Sequence, residues 1–183
     1  DISFEHSGRR WGDFVVRVAG EVMACGYREQ LIGYVGQSGV QWLNLKDAQV
    51  NYRKLRGPFR VFVSGTINDK DGGRWTITRK FRIDSRKGTI HIETSVLVDK
   101  DRDVIRLPWI TLFAGLGGFG EKKTHAVFAG LEYLCDEPSS SDADIAKPKH
   151  IRRTPDPVKI TFPLMAIQHE NRYIGLIWER SNM

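Results

Sequence analysis

The chain has 183 residues and a formal net charge of +6, with 40% hydrophobic and 27% charged residues. This length suits one domain with a buried core and is short for two, and no apolar run approaches the roughly 20 residues of a membrane-spanning helix. Because 28 basic residues are interleaved with 22 acidic ones, the charge predicts a solvated surface of mixed sign rather than a nucleic-acid or membrane partner.

The start of the sequence and its two cysteines bear on its origin. Residues 1–4 have neither the basic nor the apolar region of a secretory signal. We therefore expect a single domain over 1–183 that has been excised from a longer multidomain protein. Cys25 and Cys135 are too few for a disulfide framework. Each is expected to be a buried or half-buried small hydrophobe, and a pair between them in an oxidising compartment stays open.

Short segments of alternating apolar and polar residues follow one another along the chain. In order, strands are predicted at 14–19, 31–35, 40–45, 49–52, 59–67, 75–83, 90–98, 104–113, 126–134, 158–167 and 173–179. Turn sequences separate nearly all of them, and a single helical turn at 27–32 is the one helical alternative. Pro163 predicts an edge position or a bulge in its strand. The pattern favours an all-β chain with few or no helices, an antiparallel β-sandwich.

The hairpin over 75–98 carries the clearest pattern. In its first strand, one face is apolar (Trp75, Ile77, Phe81, Ile83) and the other is polar (Thr76, Thr78, Lys80, Arg82). In its second strand, His91, Glu93 and Ser95 share the exposed face. Strict alternation is typical of strands with one buried and one exposed face. The polar face predicts contact with a polar ligand or a neighbouring domain.

Three further segments have motif-like composition. The segment 136–157 contains four prolines and is predicted to be a long loop, either functional, mobile or a plain surface excursion. The segment 115–120 satisfies G-x-G-x-x-G, but strand-like residues follow it, so a flexible connection is favoured over a nucleotide site. The segment 99–103 resembles the start of an EF-hand loop without its glycine. No histidine spacing suggests a metal, and we expect neither metal nor cofactor.

Candidate catalytic and sugar-stacking residues are few. His125 and Glu132 form the one acid/base pair of interest, although structural hydrogen bonding is favoured over catalysis for either residue. Three tryptophans at turns or strand ends, Trp11, Trp42 and Trp109, have indole rings that could stack on a sugar. Core or rim packing is favoured for each of them.

Several stretches resemble the galactose mutarotase-like β-sandwich, the super-sandwich of mutarotases, polysaccharide lyases and many bacterial glycoside hydrolases. The similar stretches are Val-Phe-Val-Ser-Gly-Thr at 61–66, Trp-Thr-Ile-Thr-Arg-Lys-Phe-Arg-Ile at 75–83, and the segments 90–98, 107–113, 128–138 and 160–166. The resemblance begins at residue 59. It implies that the chain is the sandwich part of a multidomain enzyme whose catalytic carboxylates lie on another domain.

The resemblance therefore predicts a non-catalytic, carbohydrate-associated domain of a larger glycoside-processing protein. The expected saccharide contacts are Trp109, Arg82, His91, Glu93 and Glu132, and the 136–157 loop is expected to dock a neighbouring catalytic domain. An extracellular or periplasmic location is favoured if the chain is carbohydrate-active. Two alternatives stay open. One is a stand-alone aldose mutarotase or epimerase that uses His125 and Glu132, and the other is a protein-interaction sandwich without a ligand, which predicts a large exposed apolar patch.

Overall fold

The residues that the structure describes fold mainly into antiparallel strands. The computed structural model describes residues 2–27, 29–57, 60–114, 122–129 and 161–179, together with the backbone of 132–135. Contacts divide the chain into two compact units, Asp1–Phe113 and Ala114–Met183, where the sequence predicts one domain over 1–183. Within the described residues, the helical structure is limited to 3-10 turns, of which Leu45–Asp47 is the defined element. The predicted all-β, antiparallel fold class is confirmed.

The first unit contains three sheets built from strands of two to eleven residues. The strands are β1 (Ile2–His6), β2 (Phe14–Val18), β3 (Glu21–Gly26), β4 (Leu31–Gly36), β5 (Gly39–Asn44), β6 (Gln49–Lys54), β7 (Val61–Asn68), β8 (Arg74–Asp84), β9 (Thr89–Val98), β10 (Asp103–Arg106) and β11 (Leu112–Phe113). The N-terminal sheet has the order β1-β2-β3-β11, the three-stranded sheet β10-β4-β5, and the long sheet β6-β7-β8-β9.

The described part of the second unit contains one sheet of four strands. These are β12 (His125–Phe128), β13 (Glu132–Cys135), β14 (Leu164–His169) and β15 (Arg172–Ile177), in the order β13-β12-β14-β15. Pro163 lies directly before β14, where its missing N–H costs no ladder bond, and its carbonyl oxygen accepts a hydrogen bond from the Trp178 N–H at 3.1 Å.

The long sheet owes its two faces to the predicted alternation. Strands β8 and β9 pair without interruption from Trp75↔Val98 to Asp84↔Thr89, and the turn between them includes Gly88 with a positive φ of 62°. The side chains of Trp75, Ile77 and Phe81 are buried, as predicted, because successive residues of a strand point to opposite faces. This inner face forms the floor of the core.

Aromatic rings from the other two sheets cover the inner face. The Phe81 ring lies 4.4 Å from the ring of Phe4 and 5.6 Å from that of Phe14, both in the N-terminal sheet. The Trp75 ring lies 5.9 Å from the ring of Tyr34 in the three-stranded sheet. Burial of each such side chain contributes about 1.5–3 kcal/mol. The three sheets of the first unit are therefore held together by apolar side chains at alternate positions of their strands.

Several predicted boundaries differ from the structure. Strands β1 and β3 were not predicted; β3 is rich in Ala, Cys and Gly, which carry little strand signal. The prediction of one strand over 104–113 is wrong, because Pro108 interrupts it and leaves the short strands β10 and β11. The segment 126–134 forms a hairpin rather than one strand. No helical turn is found in the described part of 27–32, and the 136–157 loop and the 115–120 motif lie outside the described residues.

Candidate functional site on the long sheet

The outer face of the long sheet carries mostly polar side chains, together with Phe62 and Leu97. Its central cross-strand row is Asn51, Ser64, Thr78 and Ser95, and the next row is Gln49, Thr66, Thr76 and Leu97, of which Leu97 is 69% exposed. A rise of about 3.4 Å per residue gives this face a length of about 27 Å from Arg74 to Arg82, and a strand spacing of about 4.8 Å gives a width of about 14 Å. Hydroxyl and amide groups on such a surface can donate and accept hydrogen bonds along an extended ligand.

Charged side chains occupy one end of the outer face. The Lys80 ammonium lies 3.7 Å from the Glu93 carboxylate, and both side chains are about half exposed. Arg82 is the cross-strand partner of His91 in the next row. The structure therefore brings Arg82, His91 and Glu93, three of the predicted saccharide contacts, onto one accessible surface.

A polar hollow lies at the opposite end of the outer face. It has a volume of about 240 Å³ and is lined by Asp47, Gln49, Thr66, Ile67, Asn68 and Arg74. Most of these side chains carry hydrogen-bonding groups. The two rows of polar side chains therefore lie between the polar hollow at one end of the outer face and the charged side chains at the other.

A buried carboxylate fixes the β7–β8 turn beside the hollow. Asp69 is fully buried and accepts hydrogen bonds from the backbone N–H groups of Asp71 (3.0 Å) and Gly73 (2.7 Å), and from the Trp75 indole N–H (2.9 Å). The Arg102 guanidinium also donates to it, at 2.8 Å and 3.1 Å. Gly73 is required here, because a Cβ at that position would lie 2.5 Å from the Asp69 carboxylate.

The electrostatics of this turn keep Asp69 ionised. Burial by itself raises the pKa of Asp69, but the hydrogen bonds from Arg102, Trp75 and Gly73 outweigh it and hold the pKa well below its usual range. The hydrogen bond to Asp69 in turn raises the pKa of Arg102. The turn is therefore a charged, fully hydrogen-bonded anchor whose state does not change near neutral pH.

Arg79 is the unexpected residue of the inner face. Its side chain is 2% exposed, its guanidinium lies 4.7 Å from the centre of the Trp11 ring, and it donates hydrogen bonds to the Thr94 hydroxyl and the Trp109 carbonyl. Burial lowers the pKa of Arg79 to about 10, so the side chain is still cationic at neutral pH. Cation–π stacking and hydrogen bonds compensate part of the desolvation of this charge.

The structure separates Trp109 from the other predicted contacts. Its ring is 59% exposed, but its carbonyl oxygen accepts hydrogen bonds from Arg79 and Thr94, which belong to the inner-face positions of β8 and β9. The backbone of Trp109 therefore lies on the opposite side of the long sheet from Arg82, His91 and Glu93.

The other two sugar-stacking candidates have different outcomes. Trp11 is 1% exposed and its indole fills the core beneath Arg79, so the favoured prediction of core packing is confirmed and the indole is not available to a sugar. Trp42 is 48% exposed on the three-stranded sheet.

The β12–β13 hairpin carries both members of the predicted acid/base pair. His125 is opposite Cys135, and Glu132 is opposite Phe128, three positions further along the ladder. Three residues of a strand span about 10 Å between their backbones. Cys25 is a half-buried free cysteine, as predicted.

The residues that sequence reasoning missed differ in how much signal the sequence carries for them. Arg79 has the same parity as Trp75, Ile77 and Phe81 in β8, so strict alternation alone places it on the inner face. The Asp69–Arg102 pair had only a weak signal, since Asp69 lies in a turn-like sequence and its partner is 33 residues away. The row of Asn51, Ser64, Thr78 and Ser95 could be identified only from the register of β6 and β7.

Neither a metal cluster, a membrane-spanning helix nor a known relative points to a function for the described part of the chain. Among the described residues, no group of three or more His, Cys, Asp and Glu side chains could hold a metal ion, and in the same part of the chain no helix is long and apolar enough to cross a bilayer. No protein-family model matches the chain, and neither a curated protein nor a solved structure shows significant similarity to it.

Proposed function

We propose that this chain is a non-catalytic, carbohydrate-associated domain of a larger glycoside-processing protein, and that the outer face of the long sheet contacts the saccharide. The observation that carries the proposal is the placement of Arg82, His91 and Glu93 side by side, next to rows of hydroxyl and amide side chains. A sugar presents many hydroxyl groups, which such side chains can pair with in both directions.

The geometry favours an extended saccharide over a single sugar. The side chains of the outer face are mostly exposed or half-buried, and a hydrogen bond to a neutral group contributes only about 0.5–1.5 kcal/mol. Binding therefore needs several contacts along the face, from the polar hollow to the charged end. An oligosaccharide that reaches both ends should bind more tightly than a monosaccharide of the same sugar.

A glycan-array screen of the intact chain tests this function, with calorimetry on any saccharide that binds. Lys80→Ala/Glu93→Ala and Thr78→Val should each weaken binding, because they remove hydrogen-bonding groups from the outer face. The matched control is Lys46→Ala/Glu29→Ala, since that pair has the same 3.7 Å separation and nearly the same exposure but lies outside the outer face. Silence across the array, or equal weakening by the control, would contradict the proposal.

A protein-interaction role is the second candidate function. It is favoured by exposed apolar side chains on the three-stranded sheet. Val40, Trp42 and Ile105 are about half exposed there, and a Cβ on Gly33 would lie 2.8 Å from the Trp42 ring and 2.9 Å from Ile105. These side chains form an apolar cluster over a glycine. The fitting partner is the neighbouring catalytic domain of the same protein. If that domain is the partner, Trp42→Ser should abolish its association with the chain and leave saccharide binding intact.

A further inference from the structure

A second concave site, here called the edge cleft, lies beside the outermost strands of two sheets. It has a volume of about 750 Å³, and its lining includes Phe4 and His6 of β1, Tyr52 and Lys54 of β6, and Val61 of β7. Such a volume is typical of small-molecule sites. Tyr52 and Val61 belong to the inner face of the long sheet. The edge cleft is therefore separate from the outer face and from the function proposed for it.

The walls of the edge cleft are largely apolar. Phe4, Val15, Leu55, Val61 and Ile83 line it together with the Tyr52 ring. The Phe4 ring is fixed by the rings of Phe14 and Phe81, at 5.3 Å and 4.4 Å. A ligand with an apolar body would bury surface against these walls without a rearrangement of the core.

Two cations border the cleft without a carboxylate partner. Within the described residues, neither Lys54 nor Arg60 takes part in an ion pair, although both line the cleft and are exposed. Two carboxylates also line the cleft. Glu5 belongs to β1, and Asp13 precedes β2 and accepts a hydrogen bond from the Ser7 hydroxyl at 2.6 Å. The cations border the cleft on the side of β6 and β7 and the carboxylates on the side of β1 and β2, so an anionic group of a ligand would be attracted to the side of Lys54 and Arg60.

His6 adds a neutral polar group to the cleft. Its ring stacks on Tyr52 at 5.7 Å with an angle of 16° between the planes, and its Nδ1 accepts a hydrogen bond from the Gly8 N–H at 3.0 Å. The remaining Nε2 of the neutral ring then carries the proton and is a donor. Burial lowers the pKa of His6 to about 4, with Asp13 opposing and Arg79 adding to the effect, so the ring is uncharged at neutral pH.

We propose that the edge cleft binds a small organic anion with an apolar body and one carboxylate or sulfonate group. The apolar walls hold the body of the ligand, and Lys54 and Arg60 attract its anionic group. Neither requirement is met by a neutral sugar, so this ligand differs from the saccharide of the outer face.

Fluorescence titration of the intact chain with 8-anilinonaphthalene-1-sulfonate tests this site. We expect saturable binding of one probe per chain, about tenfold weaker binding by Lys54→Ala/Arg60→Ala, and weaker binding at high salt, because both cations are exposed and screened. Lys46→Ala is the control, since it removes an exposed lysine outside the cleft. Octanoate should displace the probe at concentrations at which octanol does not.

Three results would overturn the proposal. They are the absence of saturable probe binding, equal affinity of the double variant and the unmodified chain, and equal displacement by octanol and octanoate. Far-UV circular dichroism of each variant confirms that it is folded, which is expected because Lys54 and Arg60 are exposed. The glycan-array outcome is independent of all three results, because the outer face shares no lining residue with the cleft.

Discussion

Replacement of Asp69 by Asn removes one charge from the centre of the β7–β8 turn and changes little else in shape. The Asn carbonyl can still accept from the N–H groups of Asp71 and Gly73. Its amide group, however, takes the place of the oxygen that accepts from the Trp75 indole at 2.9 Å and from Arg102 at 2.8 Å. The Trp75 indole N–H and the Arg102 guanidinium then both face the Asn amide group, which is also a donor. The indole N–H is therefore buried without an acceptor.

The magnitude follows from these contacts. A hydrogen bond to a charged group contributes about 1.5–3 kcal/mol, and an unsatisfied buried donor costs about 1–3 kcal/mol. Because the Trp75 side chain is 1% exposed, water cannot replace the lost acceptor, whereas Arg102 can turn towards solvent. We expect Asp69→Asn to lower the free energy of unfolding by about 3 kcal/mol, which corresponds to about 6–12 °C in Tm for a chain of this size.

Urea unfolding monitored by tryptophan fluorescence measures this loss. Asp71→Asn is the control in the same turn, since Asp71 is partly exposed, and it should change the free energy of unfolding by no more than about 0.5 kcal/mol. The folded-state pKa of Asp69 is lowered, so its contribution is complete above the unfolded pKa of 3.8 and is lost as the pH falls through the folded pKa. The difference in the free energy of unfolding between Asp69→Asn and the unmodified chain should therefore stay constant from pH 5 to 8. Equal stability of Asp69→Asn and Asp71→Asn would refute this reasoning.

Three further predictions concern single side chains of the first unit. His6 has a pKa of about 4 in the folded chain against 6.5 in the unfolded chain, so the free energy of unfolding should fall as the pH drops from 6.5 to 4. The full shift corresponds to about 3 kcal/mol, and partial exposure of the ring reduces this to about 1–2 kcal/mol. Urea unfolding of His6→Phe should lack this loss. Arg79→Lys should lower the free energy of unfolding by about 1–2 kcal/mol, because a lysine cannot make both hydrogen bonds and stack on the indole; no change in the urea midpoint would contradict this. Gly33→Ala should push the Trp42 ring outwards and shift tryptophan emission to longer wavelength, whereas an unchanged spectrum would show that the ring does not rest on Gly33.

The fold class could be predicted because the signal was local. In β8 and β9, alternation over 75–98 fixes which residues are buried, and the register confirms it from Trp75 to Asp84. Boundaries were harder where short strands lack β-branched residues, as in β3. The break at Pro108 follows from the missing N–H of proline, a signal that was present in the sequence but outweighed by its apolar neighbours.

The candidate site was only partly predictable, because it depends on pairing between distant segments. Alternation placed Arg82, His91 and Glu93 on exposed faces, but the rows formed with Asn51 and Ser64 need the register of β6 and β7. Trp109 was grouped with them by residue type, whereas its carbonyl is held on the other side of the sheet by Arg79. No local pattern reports such a long-range hydrogen bond.

The most direct test of the outer face as a saccharide-binding surface is amide hydrogen exchange of the intact chain with and without a saccharide selected on the array. We expect slower exchange in β8 and β9 around 78–82 and 91–95, with no change in the three-stranded sheet. Protection confined to the three-stranded sheet or to the C-terminal unit, with exchange in β8 and β9 unchanged, would contradict it.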